Sequence, residues 1–277
     1  MKHTWKITTA LLGLFLLAQL IGLVIINNYV TYDITIKEGE KVVKKNWEAL
    51  PYEIERPEFE EETSYIPIII LILVATGIIL LLVKLKAFLF WKAWFFLSVW
   101  FCLIIAFGAF LQELYAVVLA FILAILKIFK RNMVLHNLTE LFIYGGIAAI
   151  FVPILNLLGV SILLILISIY DFIAVHKTKH MVSLAKFQTK SKLFAGLYIP
   201  YGKKKTAILG GGDIAFPLMF TAVVLGIHGI SALIITLTST LGLAYLFWKS
   251  EKGKYYPAMP FITAGCFVGY FVIRLIL

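Results

Sequence analysis

Apolar residues fill most of the chain in nine long runs, at about 7–29, 65–83, 88–111, 113–129, 138–157, 159–176, 206–227, 230–248 and 256–276. A run of about 20 apolar residues crosses a bilayer as a helix. The pattern therefore predicts an all-α polytopic membrane protein with nine transmembrane helices. The first run is longer than the apolar part of a secretory signal, and no small-x-small cleavage site follows it, so it reads as a retained helix. The third and fourth runs abut at Gln112-Glu113, and "IHGI" (227–230) is a Gly-containing turn between the seventh and eighth. The polar segment 30–64 differs in kind. Its "YDITIKEGEKVVKK" alternates around Glu38-Gly39, which predicts a hairpin. Pro51, Pro57 and dense glutamates make the rest extended or mobile. No internal repeat stands out, so the inverted-repeat signature of many transporters is missing.

Composition agrees with a membrane protein: 62% of the 277 residues are hydrophobic and 14% charged, against roughly 25% charged in a soluble domain. Charge then adds orientation. Segment 31–64 holds ten of the fifteen acids and only five bases, although the whole chain is +10. Lys2 and Lys6, Lys84 to Lys92, Lys127 to Arg131, the eight lysines from Lys177 to Lys205, and Lys249 to Lys254 all fall on one side if nine runs cross. The positive-inside rule then puts the N-terminus in the cytoplasm and the C-terminus outside. Bases at helix ends argue against a nucleic-acid partner. The chain divides into residues 1–157, five spans with an extracytoplasmic acidic loop at 30–64, and residues 158–277, four spans with a cytoplasmic loop at 177–205. Cys102 and Cys266 lie inside apolar runs and read as small buried hydrophobes. Asn137-Leu138-Thr139 fits a glycosylation acceptor, but on the cytoplasmic side.

Five acids remain outside the acidic loop: Glu113, Glu140, Asp171, Asp213 and Glu251. Glu113, Glu140 and Glu251 fall at run ends, where an interfacial anchor is expected. Asp171 and Asp213 fall within runs, where an ionised acid costs at least about 2.5 kcal/mol and marks a functional site. No Lys or Arg lies within either run to neutralise them. Counted as helix from Lys177 and Lys205, the two sit roughly 9 and 12 Å from the cytoplasmic edge, so the topology allows them to face each other. Two carboxylates in one site hold a single proton near neutral pH. The ionised member can then activate water while the other donates a proton. Gly210, Gly211 and Gly212 precede Asp213 without side chains. They suit a close backbone approach, as tight helix packing also would.

Three motifs carry a resemblance. "IYDF" (169–172), "LGGGD" (209–213) and "YPAMPF" (256–261) resemble, in order and on runs six, seven and nine, the YD, GxGD and PAL motifs of presenilins and signal peptide peptidases. "YDFIAVHKTKHMVSLAK" (170–186) is similar to archaeal presenilin homologues especially. The resemblance covers roughly residues 160–277. It implies an intramembrane aspartyl protease with catalytic Asp171 and Asp213, support from Tyr170, Gly210, Gly211 and Gly212, and a substrate cleft lined by Pro257, Ala258 and Met259. Met259 stands where the family has Leu, a swap that roughly conserves volume; Pro257 also suits an ordinary helix start. The N-in, C-out plan resembles presenilins and implies type I transmembrane substrates in an archaeal cell membrane. No metal, cofactor or obligate partner subunit is implied, and a homo-oligomer is left open. The loop 177–205 is short beside that of animal presenilins, which removes the basis for carrying over self-cleavage. Its residues 187–205 suit a strand that pairs with an unwound substrate, or a lysine-rich linker on anionic lipid.

Other chemistries fit less well. His176 and His180 have i, i+4 spacing, but no third metal ligand is near. Gly159-Val160-Ser161 is no serine-nucleophile motif, and Ala215 stands where prepilin-type peptidases have Lys. The alternative of a different class is a cation channel or secondary transporter using the same two acids.

Overall fold

The structure, a computed structural model, describes residues 4–37, 40–60, 62–85, 87–130, 132–177, 193–201, 205–251 and 254–277. Among these, nine α-helices run in chain order: α1 (Trp5–Asn27), α2 (Tyr65–Lys84), α3 (Phe88–Gly108), α4 (Glu113–Phe129), α5 (Met133–Phe151), α6 (Leu157–His176), α7 (Gly212–His228), α8 (Leu233–Lys249) and α9 (Met259–Ile276). Seven stretches are long and apolar enough to cross a membrane. One of them, Gly212–Lys249, holds both α7 and α8, separated by a 3-10 turn at Gly229–Ala232 where Gly229 takes a positive φ of 59°. α4, with 17 residues, is the helix outside that set.

The helix starts follow from local chemistry. Asn132 and Asn156 cap α5 and α6, accepting from the amides of Val134 (2.9 Å) and Gly159 (2.7 Å). Pro153 sits in the 3-10 turn that ends α5, because proline cannot continue the ladder.

Two antiparallel hairpins join the helices, so the chain is mostly rather than wholly α. β1 (Val30–Lys37) pairs with β2 (Glu40–Trp47) in the acidic segment, as its alternation predicts. β3 (Gly196–Tyr201) pairs with β4 (Lys205–Gly210) immediately before α7. The second hairpin corrects the expectation that the seventh helix begins at 206. Thr206 to Gly210 are strand, and the helix starts at Gly212. A short apolar stretch bounded by glycine reads equally as strand or helix, and pairing with β3 decides it. The depth counted as helix from Lys205 to Asp213 falls with that expectation. The ninth helix likewise begins at Met259 rather than 256. Its first-turn proline is Pro260, and Pro257 precedes the helix.

α7 lies at the centre. Every residue from Leu218 to Val224 is buried, as expected for a helix that is apolar all round. The main core joins it to α1, α5, α6, α8, α9 and the second hairpin, and a second cluster packs α3 and α4 against α5. α3 and α5 approach so closely that a Cβ on Gly146 would run into the Cys102 carbonyl. α2 stands at the edge beside α6 and α3, and Ile68 is the one fully packed hydrophobic among its described side chains.

Candidate active site

Asp171 lies on α6, five residues before its end, and is 8% exposed. Its Oδ2 accepts a hydrogen bond from the Met259 amide at 3.1 Å, and the Ala258 amide faces it too. These amides are free to donate because α9 starts there, and the first amides of a helix lack intrahelical partners. The same helix end favours negative charge. Three residues earlier on α6, the Ser168 hydroxyl meets Thr263 Oγ1 of α9 at 2.8 Å and fixes the two helices together.

Asp213 is the second residue of α7, delivered by the β3–β4 hairpin. The Gly211 amide donates to the Ala195 carbonyl at 3.2 Å, extending the hairpin to the helix start. A Cβ on Gly210 would lie 3.2 Å from Asp213 Oδ2, and one on Gly211 would lie 3.1 Å from the Tyr144 ring. These glycines therefore let the strand and α5 approach the carboxylate. Of the three, only Gly212 is helical. Pro217 stands four residues after Asp213 and leaves its carbonyl without the usual i+4 amide. Asp171 and Asp213 lie within electrostatic reach of each other where α6, α7 and α9 pack together.

The other expected residues divide. Pro257, Ala258 and Met259 are buried, with Met259 on Asp171. Tyr170 is half-buried on α6 next to Asp171. His176 stacks on Phe172 of its own helix, and His180 lies outside the described residues. Among the described residues, no group of three or more His, Cys, Asp or Glu could hold a metal ion. Most of loop 177–205 is outside them as well.

Glu140 corrects the sequence reading. It is 1% exposed in the interior of α5, not an interfacial anchor. Its Oε1 pairs with Lys127 Nζ at 2.6 Å, and its Oε2 accepts from the Tyr144 hydroxyl and from the Gly196 amide at 3.0 Å. Lys127 also donates to Thr139 Oγ1 at 2.9 Å. On the same face of α5, Asn137 takes both backbone groups of Tyr198, donating at 2.8 Å and accepting at 3.1 Å, and the His136 ring contacts the Gly196 carbonyl at 2.8 Å. Gln19, fully buried on α1, donates to the Ile214 carbonyl at 2.9 Å. A helical stripe of polar residues at 136, 137, 140 and 144 inside an apolar run is the signal that marks this face.

The fold is similar to two crystal structures, each described as a presenilin family intramembrane aspartate protease. One, in space group C222, is 18% identical with a TM-score of 0.68, and the match covers 97% of this chain and 98% of that one. The other, in P2, is 19% identical with a TM-score of 0.65 and covers 97% of each chain. A comparison with curated proteins gave no match. The family model "Signal-peptide peptidase, presenilin aspartyl protease" matches residues 51–277. That stretch contains both aspartates and every helix but the first, and on it the chain belongs to the signal-peptide peptidase and presenilin family of aspartyl proteases.

Proposed function

We propose that this chain is an endopeptidase that cleaves peptide bonds inside transmembrane helices, with Asp171 and Asp213 as the catalytic pair. One observation carries the reading. α6, α7 and α9 pack on one another in an apolar protein, and at their junction Asp171 takes the first amide of α9 while Asp213 stands in the first turn of α7. One ionised carboxylate removes a proton from a water held between them, and the oxygen attacks the peptide carbonyl. The protonated partner donates to the carbonyl oxygen. Collapse of the tetrahedral species then breaks the C–N bond as a proton passes to the leaving nitrogen.

Cleavage needs an extended substrate. Gly196 and Tyr198 turn their amides and carbonyls to α5. By antiparallel alternation, Thr206, Ile208 and Gly210 turn theirs to the other edge of the hairpin. That edge runs directly to Asp213 and suits pairing with an unwound peptide. The sparse packing of α2 beside α6 suits lateral entry from lipid.

The nine helices all cross the membrane in this reading, N-terminus in the cytoplasm and C-terminus outside, which follows from the bases at alternate connections. Type I proteins of an archaeal cell membrane are the proposed substrates, with Tyr170 and Gly210 to Gly212 supporting the site and Pro257 to Met259 lining the cleft. The test is cleavage of a fluorogenic transmembrane peptide by purified protein in lipid, beside Asp171→Asn and Asp213→Asn. Cleavage that both substitutions abolish supports the pair. Full activity in either variant, or sodium flux into liposomes with no cleavage over a panel of peptides, would overturn it.

A further inference from the structure

We propose that Glu140 and Tyr144 are positioning residues for Asp213, and that the Lys127–Glu140 pair exists to hold the hairpin that delivers that aspartate. The proposal rests on the reading of Asp171 and Asp213 as the catalytic pair. Lys127 and Glu140 are both almost fully buried, with side chains 1% and 2% exposed. A buried ion pair in an apolar setting is costly, and well-packed apolar residues serve stability as well or better. What apolar residues cannot do is grip backbone. Glu140 does so at one point and through Tyr144 reaches a second. Its Oε2 takes the Gly196 amide at 3.0 Å, and Gly196 lies opposite Gly210 in the hairpin register. The Tyr144 hydroxyl donates to the same carboxylate, and its ring packs on Gly211 so closely that a Cβ there would lie 3.2 Å from the hydroxyl oxygen.

The start of β3 is thus tied to the Glu140 carboxylate, Tyr144 on the same carboxylate packs on Gly211 just past β4, and the residue two past Gly211 is Asp213. Lys127 neutralises that carboxylate and is itself held by Thr139 Oγ1 and by the His136 carbonyl at 3.4 Å. Lys127 thus occupies Glu140 Oε1, and Oε2 is left to face the Gly196 amide and the Tyr144 hydroxyl. Tyr144 stands beside Gly211, at the start of the helix whose second residue is Asp213.

Three variants test this in the full chain: Tyr144→Phe, which deletes one hydroxyl; Glu140→Gln, whose amide cannot satisfy both Lys127 and the hairpin; and the double change Lys127→Met/Glu140→Leu, which removes the acceptor and leaves no unpaired charge. Each is measured for kcat and KM on the fluorogenic transmembrane peptide, for thermal midpoint, and for hydrogen exchange at Gly196 and Gly211. The expected result is a fall in kcat of about tenfold or more in Tyr144→Phe and the double variant. KM stays within twofold, the midpoint is little changed, and exchange at the two glycines is faster. Wild-type kcat in both folded variants would overturn the proposal. So would a loss in which kcat, KM and thermal midpoint move together, because that is what a structural role alone produces. If the unmodified chain cleaves no peptide, the reading of the aspartates fails separately. Exchange then decides: faster exchange at Gly196 and Gly211 in Tyr144→Phe and Glu140→Gln upholds the grip on the hairpin, and unchanged exchange overturns it.

Discussion

Asp171 and Met259, 88 residues apart in sequence, are joined by a hydrogen bond from the Met259 amide to the Asp171 carboxylate at 3.1 Å. The contact is made by backbone, so the side chain at 259 acts on it only through packing. Met259 is 2% exposed. Met259→Leu conserves volume and is expected to cost less than about 1.5 kcal/mol, with peptide cleavage within about twofold of the parent. Met259→Ala opens a cavity and is expected to cost about 2–5 kcal/mol. Thermal midpoints and cleavage rates in one detergent check both. Equal loss in the two variants would mean that the side chain itself has a role in cleavage.

Gly146 offers a second comparison with its own control. A Cβ there meets the Cys102 carbonyl, which is backbone and cannot swing away, whereas a Cβ on Gly13 or Gly77 would have nothing within 4 Å. Gly146→Ala should push α3 from α5 and cost about 1–3 kcal/mol. Gly13→Ala and Gly77→Ala should hold or raise stability, because alanine favours a helix by about 0.8–1.0 kcal/mol over glycine. Thermal unfolding of the three variants gives opposite signs if the packing is as described.

The two aspartates were legible in sequence for a physical reason: a carboxylate inside an apolar run has few explanations, and neither run supplies a Lys or Arg. The strand before Asp213 was not. Thr206 to Leu209 continue an apolar run without a break, and only the partner strand β3 distinguishes strand from helix. Glu140 was misread because its partner Lys127 is on another helix, 13 residues away across a turn, and each residue alone resembles an interfacial anchor. The order of His136, Asn137, Glu140 and Tyr144 on one helix face held the clue. The first hairpin was legible because β1 and β2 alternate.

Tyr29, just past α1, donates to the Ile105 carbonyl at 2.6 Å, and burial pushes its hydroxyl well above the ordinary pKa of 10.0. A raised folded pKa means the folded state holds this proton after the unfolded chain has lost it. Stability from this group is therefore complete below pH 10.0 and falls as pH rises beyond it. Tyr29→Phe should lower the midpoint at pH 7, since it removes a hydrogen bond worth about 0.5–1.5 kcal/mol. It should also flatten the decline above about pH 10. Midpoints measured from pH 7 to 11 for both proteins test the sign; an unchanged alkaline slope would rule the group out as its source.

Gln19 sets two isosteric or near-isosteric changes against each other. Its Nε2 donates to the Ile214 carbonyl at 2.9 Å, while its Oε1 is buried with no hydrogen-bond partner among the described residues. The Ile214 carbonyl also lies one helical turn before the Leu218 amide, so it keeps a donor without Gln19. Gln19→Leu gives up one hydrogen bond, about 0.5–1.5 kcal/mol, and removes an orphaned acceptor whose burial costs about 1–3 kcal/mol. The second effect is the larger, so the leucine variant should be as stable as the parent or slightly more so. Gln19→Glu keeps the shape but turns an acceptor toward the Ile214 carbonyl and buries a charge near Asp213. Burying such an unpaired charge is strongly destabilising, by about 3–5 kcal/mol. Thermal midpoints in one lipid mixture should therefore rank leucine at or above glutamine and glutamate far below. The reverse order for leucine would mean that Gln19 Oε1 holds a partner, such as a buried water, that stabilises the start of α7.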